Sequence, residues 1–149
     1  MTEPARGGIL WAKMRFSVVK QISLSLENHP GALHRAAAEL ARSGVNIHGL
    51  SVVDKPDVGL VRLHTSDPVK ARLVLDTIGL KPIESEVIEI ELPHQPGRLA
   101  DVCRALTLGE VNIDYAYGSS SEAGQRMKLV LKASPLARAK QVLAGIAEE

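Results

Sequence analysis

Two short stretches of this 149-residue chain carry groups able to hold a small polar anion. The first is Asn28-His29-Pro30-Gly31-Ala32-Leu33, completed by Asn46-Ile47. The second is His94-Gln95-Pro96-Gly97-Arg98-Leu99, completed by Asn112-Ile113. One step of 66 residues relates Pro30 to Pro96 and Asn46 to Asn112, so the chain repeats a single unit head to tail. In each copy a glycine lies where a helix is expected to begin. The first N–H groups of a helix have no internal partner, and together with the helix dipole they form an anion pocket. Backbone N–H groups at Gly31, Ala32 and Leu33 would take a carboxylate. The asparagine side chains can donate to that carboxylate and accept from a cation. The structural alternative is that Asn28 caps the helix and Asn46 satisfies a turn at the strand entry, both common uses of asparagine. The copies differ, with His94 in place of Asn28, Gln95 of His29 and Arg98 of Ala32. A ligand held by His94 would bind in a pH-dependent way between about pH 5 and 8.

The elements that must position these groups read clearly. Ile22, Leu24 and Leu26 alternate with polar residues, as Ile88, Ile90 and Leu92 do in the second copy, giving half-buried strands. Alternation already begins at Met14, which predicts a long first strand. Pro30 and Pro96 suit the first turn of a helix, where no amide donor is needed. Beyond them Leu33, Ala36, Ala37, Leu40 and Ala41, and likewise Leu99, Val102, Cys103, Leu106 and Thr107, mark one apolar helical face. The spacing then predicts hairpins over 45–65 and 112–131, with a Gly/Ser-rich turn at 118–124, a short strand at 80–86, and helices opened by Pro68 and Pro135. Residues 146–149 are too few for a further strand. The open edge this leaves is expected to stay short or to be covered by the long first strand.

Composition narrows the function. Lys+Arg number 18 and Asp+Glu 17, so no net field draws nucleic acid or an anionic membrane, and 3% aromatic content leaves little to stack on bases. A lone cysteine excludes an internal disulfide and suits a reducing cytoplasm. No run of residues approaches a membrane span. The five histidines lack metal-ligand spacing and read as solvated, so no metal or cofactor is expected. Cys103 reads as core, and Glu84, Glu86, Glu89 and Glu91 as a solvated sheet face. No nucleophile, base or phosphate loop is apparent, so no catalytic residue is assigned.

The pattern Glu-Asn-x-Pro-Gly-x-Leu, an apolar helix and then Gly-Val-Asn-Ile resembles the ACT domain, and its duplication resembles stand-alone tandem ACT proteins. The resemblance implies an α+β fold of two ferredoxin-like βαββαβ domains packed side by side, with antiparallel sheets and helices on one face. The repeat places them at 14–84 and 85–149, after an extension at 1–13. It further implies a non-catalytic regulator that binds a free amino acid where ACT domains meet. Carried over by position, Asn28 to Leu33 would share a ligand with Asn112-Ile113, and His94 to Leu99 with Asn46-Ile47. A cytoplasmic homodimer acting on a metabolic enzyme is expected. The competing readings are a protein-interaction module with vestigial sites, a metal-binding regulator, and, third, an enzyme of amino-acid metabolism.

Overall fold

The computed structural model describes residues 14–120 and 126–147. Six strands and four helices follow one another as β1 (Arg15–Glu27), α1 (Ala32–Arg42), β2 (Ile47–Val53), β3 (Val58–Thr65), α2 (Pro68–Thr77), β4 (Ile83–Pro93), α3 (Arg98–Leu108), β5 (Asn112–Ser120), β6 (Arg126–Ser134) and α4 (Leu136–Ala147). The chain packs as two compact units. The first is Lys20–Glu86. The second joins the residues up to Val19 to those from Val87 onward.

In the first unit the strands lie in the order β2-β3-β1, with antiparallel pairings that set Ile22 opposite Leu63 and Glu27 opposite Val58. Ile22, Leu24 and Leu26 of β1, with Val61 and Leu63 of β3, face Ala36 and Leu40 of α1 and Ala71 and Leu75 of α2, and all are buried. Period-two and period-3.6 apolar patterns thus close one core between a sheet face and two helices. Helix α2 is capped as its sequence implies: the Asp67 carboxylate accepts from the Lys70 N–H at 3.0 Å, and Pro68 opens the helix. Arg35 of α1 donates to the Ile78 carbonyl at the end of α2 at 2.9 Å.

The second unit repeats this with β4-β6-β5, its antiparallel pairings setting Ile88 opposite Leu131 and Ile113 opposite Ala133. Ile88, Ile90, Leu92, Leu129 and Leu131 are buried beneath Val102 and Leu106 of α3 and Ala139 and Leu143 of α4. Its fourth strand comes from the other end of the sequence. The head of β1 lies beside β4, Met14 is buried in this core at 2% exposure, and Phe16 packs against it. The head of the long first strand therefore covers the edge of β4. In the same way, β4 spends its first residues, Ile83–Glu86, in the first unit. Packing and repeat thus divide the chain differently, because an open strand edge is filled by whichever segment reaches it.

Some local expectations change. The strands expected around 80–86 and 88–92 are one continuous β4. Strand β5 runs on through Gly118 to Ser120, so Gly118 is no turn residue: a Cβ there would fall on the Lys128 carbonyl and on Leu129. The rest of the expected turn, 121–124, lies outside the described residues. Glu91 is no freely solvated side chain, since its carboxylate meets Arg15 at 2.6 Å and Arg126 at 3.5 Å. Cys103 is only partly buried.

Candidate functional site

The two turns are built alike, and the key to each is a glycine backbone. After Glu27 the chain turns through Asn28-His29-Pro30, and Gly31 caps α1 with φ 92° and no side-chain hydrogen bond to the cap. Gly97 caps α3 with φ 91°, again with no side-chain bond. Pro30 and Pro96 therefore stand just before the cap rather than inside the first helical turn. A left-handed residue must come first, and glycine adopts that conformation without a Cβ penalty. The Asn28 amide does not cap the helix. It donates to the Asp54 carboxylate at 3.0 Å, which ties the turn to the β2–β3 loop.

This geometry leaves donors unspent. In the first turn the Ala32 N–H reaches the His29 carbonyl at 3.4 Å, and the Arg35 N–H is taken by Gly31 at 3.0 Å. Those of Leu33 and His34 meet no acceptor among the described residues. In the second turn the Arg98 N–H bonds the Gln95 carbonyl at 3.2 Å and the Asp101 N–H that of Gly97 at 3.0 Å. Leu99 and Ala100 are left in the same position. His34 and Ala100 were missed at the sequence level, because only the position of the cap decides which N–H groups are orphaned. Leu33 and Leu99 are exposed, at 39% and 43%, each beside its unpaired N–H groups.

Electrostatics separate the two copies. His29 places Nδ1 3.0 Å from the Pro30 carbonyl and Nε2 3.0 Å from the Glu27 carboxylate, and the protonated ring donates to both. The Pro30 bond is the largest influence and raises its pKa above the ordinary 6.5; desolvation comes next and opposes it, and the hydrogen bond and charge of Glu27 add to the rise. The second copy has Gln95 and Pro93 at these positions and lacks the device. Arg98 instead holds its guanidinium 3.4 Å from Asp101 in the first turn of α3. Because folding raises the His29 pKa, its contribution to stability is complete below 6.5 and disappears as pH rises through the folded value. We predict that the His29 ring signals titrate above 6.5 in an NMR pH series and move back toward 6.5 in Glu27→Gln. A titration at 6.5 in both proteins would refute the pairing.

The strand-opening asparagines sit elsewhere. Asn46 exchanges two bonds with Ser66, its N–H to the hydroxyl and its carbonyl from the Ser66 N–H, both at 2.9 Å. Its side-chain amide has no hydrogen-bond partner among the described residues. The Asn112 amide is held by Asp114 at 2.7 Å, and Asp114 also accepts from Ser134 at 3.0 Å. Both asparagines lead into a register shift, between Ile47 and Gly49 and between Ile113 and Tyr115. Such bulges often redirect a strand beside a functional site.

Within a unit the turn and its asparagine do not meet. Glu27 lies opposite Val58 and Ile47 opposite Thr65, so the two ends are seven β3 residues apart, about 23 Å of strand. In the second unit Pro93 lies opposite Arg126 and Asn112 opposite Ser134, about 26 Å apart. One amino acid cannot bridge such a span, so no unit holds a ligand with both halves of its own constellation. Among the described residues, one groove of about 380 Å³ lies beside Ser23, Leu60 and Leu80, and another of about 270 Å³ beside Arg15, Glu89 and Lys128. Neither is lined by a candidate residue.

Among the described residues no group of three or more His, Cys, Asp or Glu side chains is placed to hold a metal ion, and no helix is long and apolar enough to cross a membrane. His64 is nevertheless not solvated: it is buried, and His48 lies edge-on to it with ring centroids 5.5 Å apart.

Solved structures resemble this chain along most of its length. Crystal structures include protein BT0572 from Bacteroides thetaiotaomicron, 30% identical with a TM-score of 0.83, covering 87% of this chain and 89% of that one. The regulatory subunit of aspartate kinase from Thermus thermophilus shares the fold at 17% identity, TM-score 0.68, covering 89% and 96%. The acetolactate synthase isozyme 3 small subunits of Escherichia coli and Salmonella typhimurium are each 32% identical over 89 residues, which is 60% of this chain and 45% of theirs. The chain thus spans less than half the length of those relatives. A family model described as an ACT domain pair matches residues 17–147. With its two βαββ-α units and repeated glycine-capped turns inside that match, the chain belongs to the ACT domain pair family.

Proposed function

We propose that this protein is a non-catalytic regulator that senses a free amino acid, held by the glycine-capped turns at an interface between ACT domains, and acts on a metabolic enzyme. The observation that carries this reading is the duplicated turn. Two helix starts with φ near 90° at the cap each present unpaired N–H groups for a carboxylate beside an exposed leucine for a side chain. The free Asn46 amide is the asparagine best able to take the ligand's ammonium. The acetolactate synthase small subunits and the aspartate kinase regulatory subunit among the similar proteins support an enzyme partner, and a cytoplasmic homodimer fits that role. A second reading, a protein-interaction module with vestigial sites, has its own support. The Asn28 and Asn112 amides are spent inside the molecule, and Leu50 and Val52 are exposed on the edge strand β2.

A thermal-shift screen against the twenty amino acids at millimolar concentration separates the two. A ligand present at 100 times its Kd stabilises the folded form by about 2.7 kcal/mol. One or a few amino acids should raise Tm by several degrees, and Asn46→Ala should remove the response. A flat profile, repeated near pH 6, would reject the sensor in favour of the interaction module.

A further inference from the structure

The groove of about 380 Å³ lies wholly within the first unit, and none of the turn or asparagine residues belongs to it. Leu24 and Leu26 of β1 are buried against the helices, so Ser23 and Ser25 face the other way. Leu60 of β3 stands directly opposite Ser25 and shares that face. Two small side chains thus lie among larger ones, with Leu60, Leu80 and Ile83 as the apolar lining. The connection from α2 to β4, which brings Leu80 and Lys81 to the groove, is held in shape. Gly79, at φ 87°, bonds its N–H to the Asp76 carbonyl at 3.0 Å, the Leu80 N–H bonds the Leu75 carbonyl at 3.1 Å, and Leu80 packs on the core that contains Leu75. This is a Schellman closure of the helix end. Gln21, fully buried, donates from Nε2 to the Ser23 oxygen at 3.4 Å, which leaves the Ser23 O–H to donate to a ligand.

The chemistry of this lining selects an occupant. Lys81 carries the one charge among the described residues that line the groove, and no carboxylate is there to hold a ligand's ammonium. Ile83 is 67% exposed, so a ligand lying on it removes apolar surface from water. A mostly apolar groove of this size with a few polar groups suits a small molecule. We propose that the groove binds a small apolar monocarboxylate that has no amino group. Its carboxylate meets Lys81 and the serine hydroxyls, and its hydrocarbon lies against Leu60, Leu80 and Ile83. This site is separate from the glycine-capped turns and does not depend on their binding anything. An amino acid would bring an ammonium into a groove that offers it no anion.

Titration of the full chain with millimolar 4-methylpentanoate, followed by backbone amide NMR shifts, tests this. Saturable shifts should centre on 23–25, 60 and 79–83. The uncharged 4-methylpentanamide and the variant Lys81→Gln should each weaken binding about fivefold, and Lys81→Arg should restore it. Leucine, the same skeleton with an ammonium, should bind this groove at least about fivefold more weakly than the acid. Ser25→Val fills the groove at an exposed strand position that suits valine, so it should keep the melting temperature and weaken binding at least about tenfold. Shifts centred on 31–34 or 97–100, no saturable shifts at all, equal affinity for acid and amide, or unchanged binding in Ser25→Val would each overturn the site. A silent groove in a protein whose turns respond to an amino acid would reject this site alone, and a filled groove with a flat amino-acid screen would reject the sensor alone.

Discussion

A chain beginning at Lys20 should melt at least about 10 °C below one beginning at Met14, or fail to accumulate in soluble form, even though it retains both copies of the repeat. The six residues between those starts supply the second unit's edge strand. Met14 is 2% exposed in the core with Ile88, Ile90 and Leu92, and truncating a buried methionine costs about 2–5 kcal/mol before Phe16 and the strand's hydrogen bonds are counted. Each kcal/mol corresponds to about 2–4 °C in a chain of this size. Removal also bares the edge of β4, a row of unpaired backbone groups in front of an apolar core, and such an edge recruits other chains. The first unit, Lys20–Glu86, is contiguous in sequence and keeps its core of Ile22, Leu24, Leu40 and Leu75. Melting of the shortened chain should accordingly split, with the second unit lost first. Melting temperatures within about 2 °C of each other would show that Met14 and Phe16 do not hold the second core together.

Much of this was legible because hydrophobic periodicity reports burial directly. The even positions from Met14 to Leu26 announce a strand longer than the repeat requires, and the face of Ala36 and Leu40 announces α1. What escaped the sequence depends on backbone geometry or on distant partners. Glycine reads as a turn residue by default. Gly118 is a strand residue whose missing Cβ makes room for the Lys128 carbonyl, a need that only β6 creates. Proline before glycine reads as a helix's first residue, yet the positive φ of Gly31 and Gly97 moves the helix start past both. Asn28 looks like a cap, but the charge that captures its amide is Asp54, 26 residues on. The identities of the candidate site residues are visible in the sequence, whereas the roughly 23 Å between a turn and its own asparagine follows only from strand register.

Replacing both cap glycines, as Gly31→Val with Gly97→Val, should lower stability by about 2–6 kcal/mol and abolish the response to amino acids. The cost is conformational and not steric: a Cβ at either position would meet nothing within 4 Å, but φ of 92° and 91° is a region a β-branched residue avoids. Forcing φ negative would swing the first turn of α1 and of α3 and scatter the N–H groups of Leu33, His34, Leu99 and Ala100. Asparagine tolerates the left-handed region far better than valine. Gly31→Asn with Gly97→Asn should therefore recover most of the lost melting temperature. The asparagine protein then distinguishes the roles of backbone and side chain. If it responds to the same amino acid as the natural chain, the oriented N–H groups carry binding and the cap needs only its backbone angle. If it folds but does not respond, the ligand itself must occupy the open space above the glycine, and the turn is a surface that a Cβ closes. Single substitutions then show which copy does the work, since Arg98 beside Asp101 and His29 beside Glu27 give the two turns different charge. A valine double variant that melts like the natural chain would contradict the left-handed caps, and with them the anion pocket on which the functional reading stands.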